Sequence, residues 1–270
     1  MKARIKFQKY GAMKFIGHLD VMRYFQKALR RANYDSEYTK GFSPHQIMSF
    51  AAPLGVGLTS DAEYLDIQLL SSDEPQVMVD RLNAVLTEGV RILDFHPLLE
   101  PEANTRTVTA MSLVASADYL VSFKDGYEPD AVFATQEEFI KTFLKFYEKS
   151  EIVIGKKTKK SETEVDIKPM ISFVAFDEKE YITKLQDYVK EPAKVSLTET
   201  VAQQYENGIK IYMQIDTGSS ANLKPELVME AFYEEYNLSY TKFSWQVHRL
   251  EVYTKDSESG KLAALNQVER

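Results

Sequence analysis

Alternating apolar and polar residues from Ala3 to Lys9 predict a strand with Ile5 and Phe7 facing inward, ended by Tyr10-Gly11. From Gly17 to Ala32 the period changes. Val21, Met22, Phe25, Ala28, Leu29 and Ala32 fall in one arc of a helical wheel, with Arg23, Lys27, Arg30 and Arg31 opposite, so an amphipathic helix with a basic outer face is expected. Tyr34 to Thr39 reads as a second strand and Glu63 to Leu70 as a third. Pro75 opens a helix whose buried stripe is Met78, Val79, Leu82, Val85 and Leu86, and Val90 to Phe95 is a fourth strand. The order β-α-β-β-α-β is that of the ferredoxin-like split unit.

The polar, proline-bearing stretch Pro97 to Thr109 is the candidate linker, and beyond it the same order can be read again. Tyr119 to Lys124 is a strand. Thr135 and Glu138 form a capping box for a helix with Phe139, Phe143, Phe146 and Tyr147 inward. Glu151 to Gly155 and Ile209 to Ile215 are the middle strands, Pro225 opens a helix burying Leu227, Val228, Ala231 and Phe232, and Trp245 to Tyr253 completes the set. The expected fold class is therefore α+β: tandem ferredoxin-like units with antiparallel sheets, one at 1–103 and one at 104–270. The second carries an insertion at about 156–207. A short helix through Tyr181, Leu185 and Tyr188 that stops before Pro192 is the one element expected inside the insertion, and the tail from Asp256 is expected to fray.

Composition narrows the chemistry. With 270 residues, 44% hydrophobic and 27% charged, the chain can bury a sizeable core. It has no cysteine. That excludes a disulfide scaffold, thiolate zinc and a thiolate-held iron–sulfur cluster, and a reducing cytoplasmic location is the expectation. The first residues alternate basic and apolar, unlike a signal peptide, and no stretch is apolar enough to suggest a membrane partner. The net charge of -7 is unevenly spread: residues 1–40 hold ten Lys or Arg against three acids, a balance of +7, leaving -14 for the remainder. A basic end on an acidic chain suggests a surface that faces anions, whereas the plainer reading is a solvated helix face.

Candidate chemistry gathers in two places. His18, Asp20 and His45 would form a His-Asp-His group if the Gly-Phe-Ser-Pro-His turn folded over the helix start, able to act in acid–base catalysis or to hold a metal. The spacing matches no zinc pattern, no metal or other cofactor is expected, and His18 falls in the apolar arc, where a structural histidine is the plainer reading. Arg23, Lys27, Arg30, Arg31 and Lys40 are candidates for phosphate contact. At the loop feeding the last helix, Ser219, Ser220, Asn222 and Lys224 are side-chain donors beside a helix N-terminus, an arrangement that suits an anion and that ordinary capping also explains.

The runs KFQKYGAMKFIGHLDVMRYFQKALRRA, YTKGFSPH, SFAAPLGVG and EYLDIQL, continued by DIKPMI, GSSANLKPELVMEA and HRLEVY, resemble the radical SAM-linked (radical SAM-associated) proteins, a bacterial family of unassigned function. In that family the domain is fused behind a radical SAM enzyme or encoded near one, so the resemblance implies an accessory role with a radical SAM enzyme as partner. His18, Asp20, Arg23, Arg30, Arg31, Gly41, Phe42, Pro44 and His45 fall on its motif positions. Gln46, Thr39 and His248-Arg249 depart from it. The function expected is a non-catalytic module that presents or binds RNA. An RNA-acting hydrolase or nuclease using His18 and His45, and a protein–protein adaptor, are the alternatives.

Overall fold

The structure, a computed structural model, describes residues 1–99, 108–157, 162–191, 197–218 and 221–268. The fold is mixed α+β, with a mostly antiparallel sheet and six α-helices among the described residues. The first half runs β1 (Lys2–Lys9), α1 (His18–Arg31), β2 (Met48–Phe50), β3 (Thr59–Gln68), α2 (Pro75–Asn83) and β4 (Val90–Leu98). The second runs α3 (Ala110–Leu113), β5 (Val114–Phe123), α4 (Gln136–Tyr147), β6 (Val153–Lys157), β7 (Glu162–Asp166), β8 (Ile171–Ala175), α5 (Glu178–Tyr188), β9 (Lys210–Asp216), α6 (Pro225–Glu235), β10 (Trp245–Lys255) and β11 (Leu262–Ala264). The main sheet has the order β4-β1-β3-β10-β5-β9-β8, with β2 added to β3 and β11 to β10.

Each helix is held by the stripe that made it legible. Val21, Phe25, Ala28 and Leu29 of α1 and Met78, Val79 and Leu82 of α2 pack on Ala3, Ile5 and Phe7 of β1. Each of these side chains larger than alanine contributes roughly 2 kcal/mol by leaving water. In the second half α4 and α6 cover one sheet face through Phe139, Phe143, Phe146 and Phe232, while Tyr181 and Leu185 of α5 cover the other against Leu120 and Tyr212. The β5 strand between these layers is buried along nearly its whole length.

Several expectations are corrected. The Tyr34–Thr39 stretch forms only the isolated bridges Ser36↔Leu69 and Tyr38↔Gln46; the strand on β3 is β2. Asn33, at φ 53, turns the chain sharply after α1, and the Tyr34 hydroxyl donates to the Met78 carbonyl at 2.6 Å, which anchors that stretch at its start. The Glu151–Gly155 segment leads into β6, which pairs with β7 in a separate hairpin; β9 takes β8, from inside the supposed insertion, as its neighbour. The tail does not fray: β11 pairs with β10, and Leu265 is fully buried. Its return is set by the Asp256 carboxylate, which accepts from the Glu258 amide and the Ser259 hydroxyl, with Gly260 at φ 70. Most of the candidate linker, at 100–107, lies outside the described residues, and β4 reaches past Pro97 to Leu98.

Candidate functional site

The basic face of α1 is where the wheel puts it. Arg23, Lys27, Arg30 and Arg31 are exposed. Asp20 pairs with Arg23 at 3.1 Å, and Arg31 Nη2 donates to the Val85 carbonyl at 3.1 Å. Among the described residues Lys27 and Arg30 have no acidic partner. The Asp20–Arg23 pair, about two-thirds exposed on both sides, is worth well under ~1 kcal/mol and leaves Arg23 free to exchange partners.

His18, Asp20 and His45 each keep separate company. His18 is exposed, contrary to its wheel position; it sits on the first turn of α1, and its ring stands edge-on to Phe50 of β2 at 5.2 Å. His45 lies in the exposed turn from Gly41 to His45, its Nδ1 3.1 Å from the Thr39 hydroxyl. Among the described residues no group of three His, Cys, Asp or Glu side chains is placed to hold a metal. Gly41, at φ 125, turns the loop, and Phe42 at its tip is fully exposed, with exposed Lys40 two residues before it.

A second site arises from how β3 shares one edge. Its Leu65–Ile67 end pairs with β2, while Thr59 and Ser60 pair in parallel with His248 and Arg249 of β10. The Ala51–Leu58 connection emerges where the halves of the sheet meet and walls a cleft of about 420 Å³. Its other wall comes from Tyr119 of β5, Arg249 of β10, Thr217-Gly218 after β9, and Asn222 to Glu226 at the start of α6. Gly218 is required there, since a Cβ would lie 2.3 Å from the Val114 carbonyl oxygen. Asn222 and Lys224, expected as anion ligands, line this cleft; Ser219 and Ser220 lie outside the described residues.

Arg249 is the anchor. Its Nη1 donates to both Glu63 carboxylate oxygens at 2.9 and 3.1 Å and to the Ala52 carbonyl at 2.7 Å, and Nε donates to the Tyr119 hydroxyl at 3.2 Å. Burial works against its charge, yet the Glu63 carboxylate holds the guanidinium more firmly protonated than usual. Beside it, His248 Nε2 faces Asp61 at 2.8 Å and Nδ1 faces the Thr59 hydroxyl at 2.7 Å. Since a carboxylate only accepts, the neutral ring donates from Nε2 and accepts at Nδ1. Burial raises the Asp61 carboxyl, but hydrogen bonds from His248, Thr200 and the Val201 amide more than offset it, so it stays below the usual range. The set has the order of a nucleophile relay. Thr59 and His248 are buried and neither lines the cleft, however, so a molecule held there does not meet the Thr59 hydroxyl, and the network ties β3 to β10. Sequence reasoning missed Arg249, Tyr119 and Thr217 as site residues; Arg249 lies in the HRLEVY stretch of the resemblance, whereas Tyr119 and Thr217 lie in none of its runs.

No curated protein matches the chain. Among solved structures it is similar to one titled "Crystal Structure of a Cbf5-Nop10-Gar1 Complex", at 8% identity and a TM-score of 0.44, over 93% of this chain and 48% of that one. The chain thus spans about half the length of that relative. The family described as an uncharacterized protein conserved in bacteria, DUF2344, matches residues 2–225, and the chain belongs to that family.

Proposed function

We propose that the chain is a non-catalytic accessory module of a radical SAM enzyme system in the bacterial cytoplasm, and that it holds RNA on the outer face of α1. The observation that carries this reading is the row of exposed cations on α1, in which Lys27 and Arg30 lack acidic partners among the described residues, on a chain of net charge -7. Phosphates supply the missing counter-charge. Exposed Phe42, with Lys40 close in sequence, adds a face on which an unpaired base stacks. The enzyme partner rests on the motif resemblance. The strand sets β4-β1-β3-β2 and β10-β5-β9-β8 support reading the architecture as two ferredoxin-like units, 1–103 and 104–270.

The separate contacts of His18, whose ring meets Phe50, and of His45, whose Nδ1 meets the Thr39 hydroxyl, weigh against an RNA hydrolase built on those two rings. Fluorescence anisotropy with a labelled single-stranded RNA tests the binding claim. Phe42→Ala with Lys40→Ala should weaken affinity about tenfold, the worth of one stacked base and one phosphate contact, without shifting the melting temperature. Crosslinking at native expression should recover RNA and a radical SAM enzyme with the chain. Recovery of an acidic protein without RNA would replace this account with the adaptor.

A further inference from the structure

The cleft between the halves of the sheet is not used by the RNA reading, and its polar groups are incompletely satisfied. Thr217, 7% exposed, has a buried hydroxyl with no hydrogen-bond partner among the described residues. Such an orphan costs stability unless something meets it. Arg249 spends Nε and Nη1 on protein acceptors, whereas Nη2 donates to no described residue; the Tyr119 hydroxyl accepts from Arg249 and has no described acceptor for its own proton. At the start of α6, Pro225 has no N–H, and the Leu227 amide is taken by the Lys224 carbonyl at 3.0 Å. That leaves the Glu226 amide at the positive end of the helix dipole. Glu63 balances Arg249 from behind the cleft wall and Lys224 balances Glu226, the one carboxylate among the described lining residues, so the preference for an anion comes from the unspent donors.

We infer that this cleft binds a small organic anion, a phosphate or carboxylate head on a flat apolar body, up to the size of a mononucleotide. The head is met by Arg249 Nη2, the Tyr119 and Thr217 hydroxyls and the Lys224 ammonium. The body lies against Ala51, Pro53, Leu58, Met111 and Leu223, which form an apolar wall. A cleft of about 420 Å³ falls within the size range of small-molecule sites and above what a bare ion would need. This site is separate from the α1 face, so it stands or falls independently of RNA binding there.

Isothermal titration of the full chain decides it, with uridine and adenosine 5′-monophosphates, the corresponding nucleosides, indole-3-acetate and inorganic phosphate as test compounds. At least one organic anion should bind saturably with a Kd below about 1 mM, and the matching uncharged compound and inorganic phosphate at least tenfold more weakly. Lys224→Ala should weaken binding about tenfold. Thr217→Val should weaken it about fivefold while raising the melting temperature of the free protein, because the orphan hydroxyl is gone. Leu58→Trp, which fills the cleft, should abolish binding in a protein that still melts cooperatively. The nucleotide and the indole acid distinguish a phosphate from a carboxylate head. No saturable binding by any organic anion, inorganic phosphate binding as tightly as the organic anions, or unchanged affinity in Lys224→Ala and Thr217→Val would overturn the assignment.

Discussion

Asp118 shows how one side chain sets a pH response. It is fully buried, accepts from the Tyr181 and Tyr253 hydroxyls at 2.7 and 2.8 Å and from Gln214 Nε2 at 2.9 Å, and burial pushes its carboxyl up to about 7. The unfolded chain ionises near 3.8, so between there and about pH 7 the folded form holds a proton that the unfolded form has lost. This group's contribution is therefore most favourable below the unfolded value, declines as pH rises toward 7, and is constant above that. The change is on the order of 2–4 kcal/mol. Asp118→Asn removes it. The new amide donates to Gln214 Oε1, which is buried and without a partner, once the Gln214 amide turns over. Urea denaturation at pH 5 and pH 8 should show a larger fall of the midpoint in the parent than in the variant, where only the other buried carboxyls such as Glu63 still contribute; parallel declines would contradict the assignment.

Among elements, legibility followed one-sidedness. Helices α1, α2, α4 and α6 each bury one stripe, and β1 alternates Ala3, Ile5 and Phe7 against Arg4, Lys6 and Gln8, so period alone revealed them. The β8 strand defeated the same logic. Its Phe173 and Ala175 pack against α5 while Ile171 and Val174 face the opposite core, and a run buried on both faces has no polar phase to read. The cleft was illegible for a different reason: residues 119, 217 and 249 meet through the β10–β5–β9 pairings, residue 52 joins them across the β3–β10 pairing, and no local pattern encodes those contacts. Two predictions belong at this scale. Thr135→Ala removes a capping box in which the Thr135 hydroxyl accepts from the Glu138 amide at 3.2 Å, and should cost about 1 kcal/mol. Gly218→Ala drives a methyl into the Val114 carbonyl and should cost about 2 kcal/mol or more, read as a fall in the urea midpoint.

At the scale of the whole molecule, two surfaces of different chemistry share one sheet, joined where Glu63 and Arg249 face each other between β3 and β10. Removing one partner of that buried pair leaves the other uncompensated, so Arg249→Met should destabilise by about 3–5 kcal/mol. The double variant Glu63→Gln, Arg249→Met should recover most of that loss, and the double-mutant cycle checks the coupling. On the proposed reading RNA lies on α1, whose exposed cations stand out on a chain of net charge -7. The slope of log affinity against log salt for single-stranded RNA tests that claim most directly. Each phosphate contact contributes about 0.7 to the slope, so Lys27→Ala with Arg30→Ala should reduce it by about 1.4 and weaken binding across all sequences tried. An unchanged slope in the double variant, or RNA affinity indifferent to salt in the parent, would contradict the account.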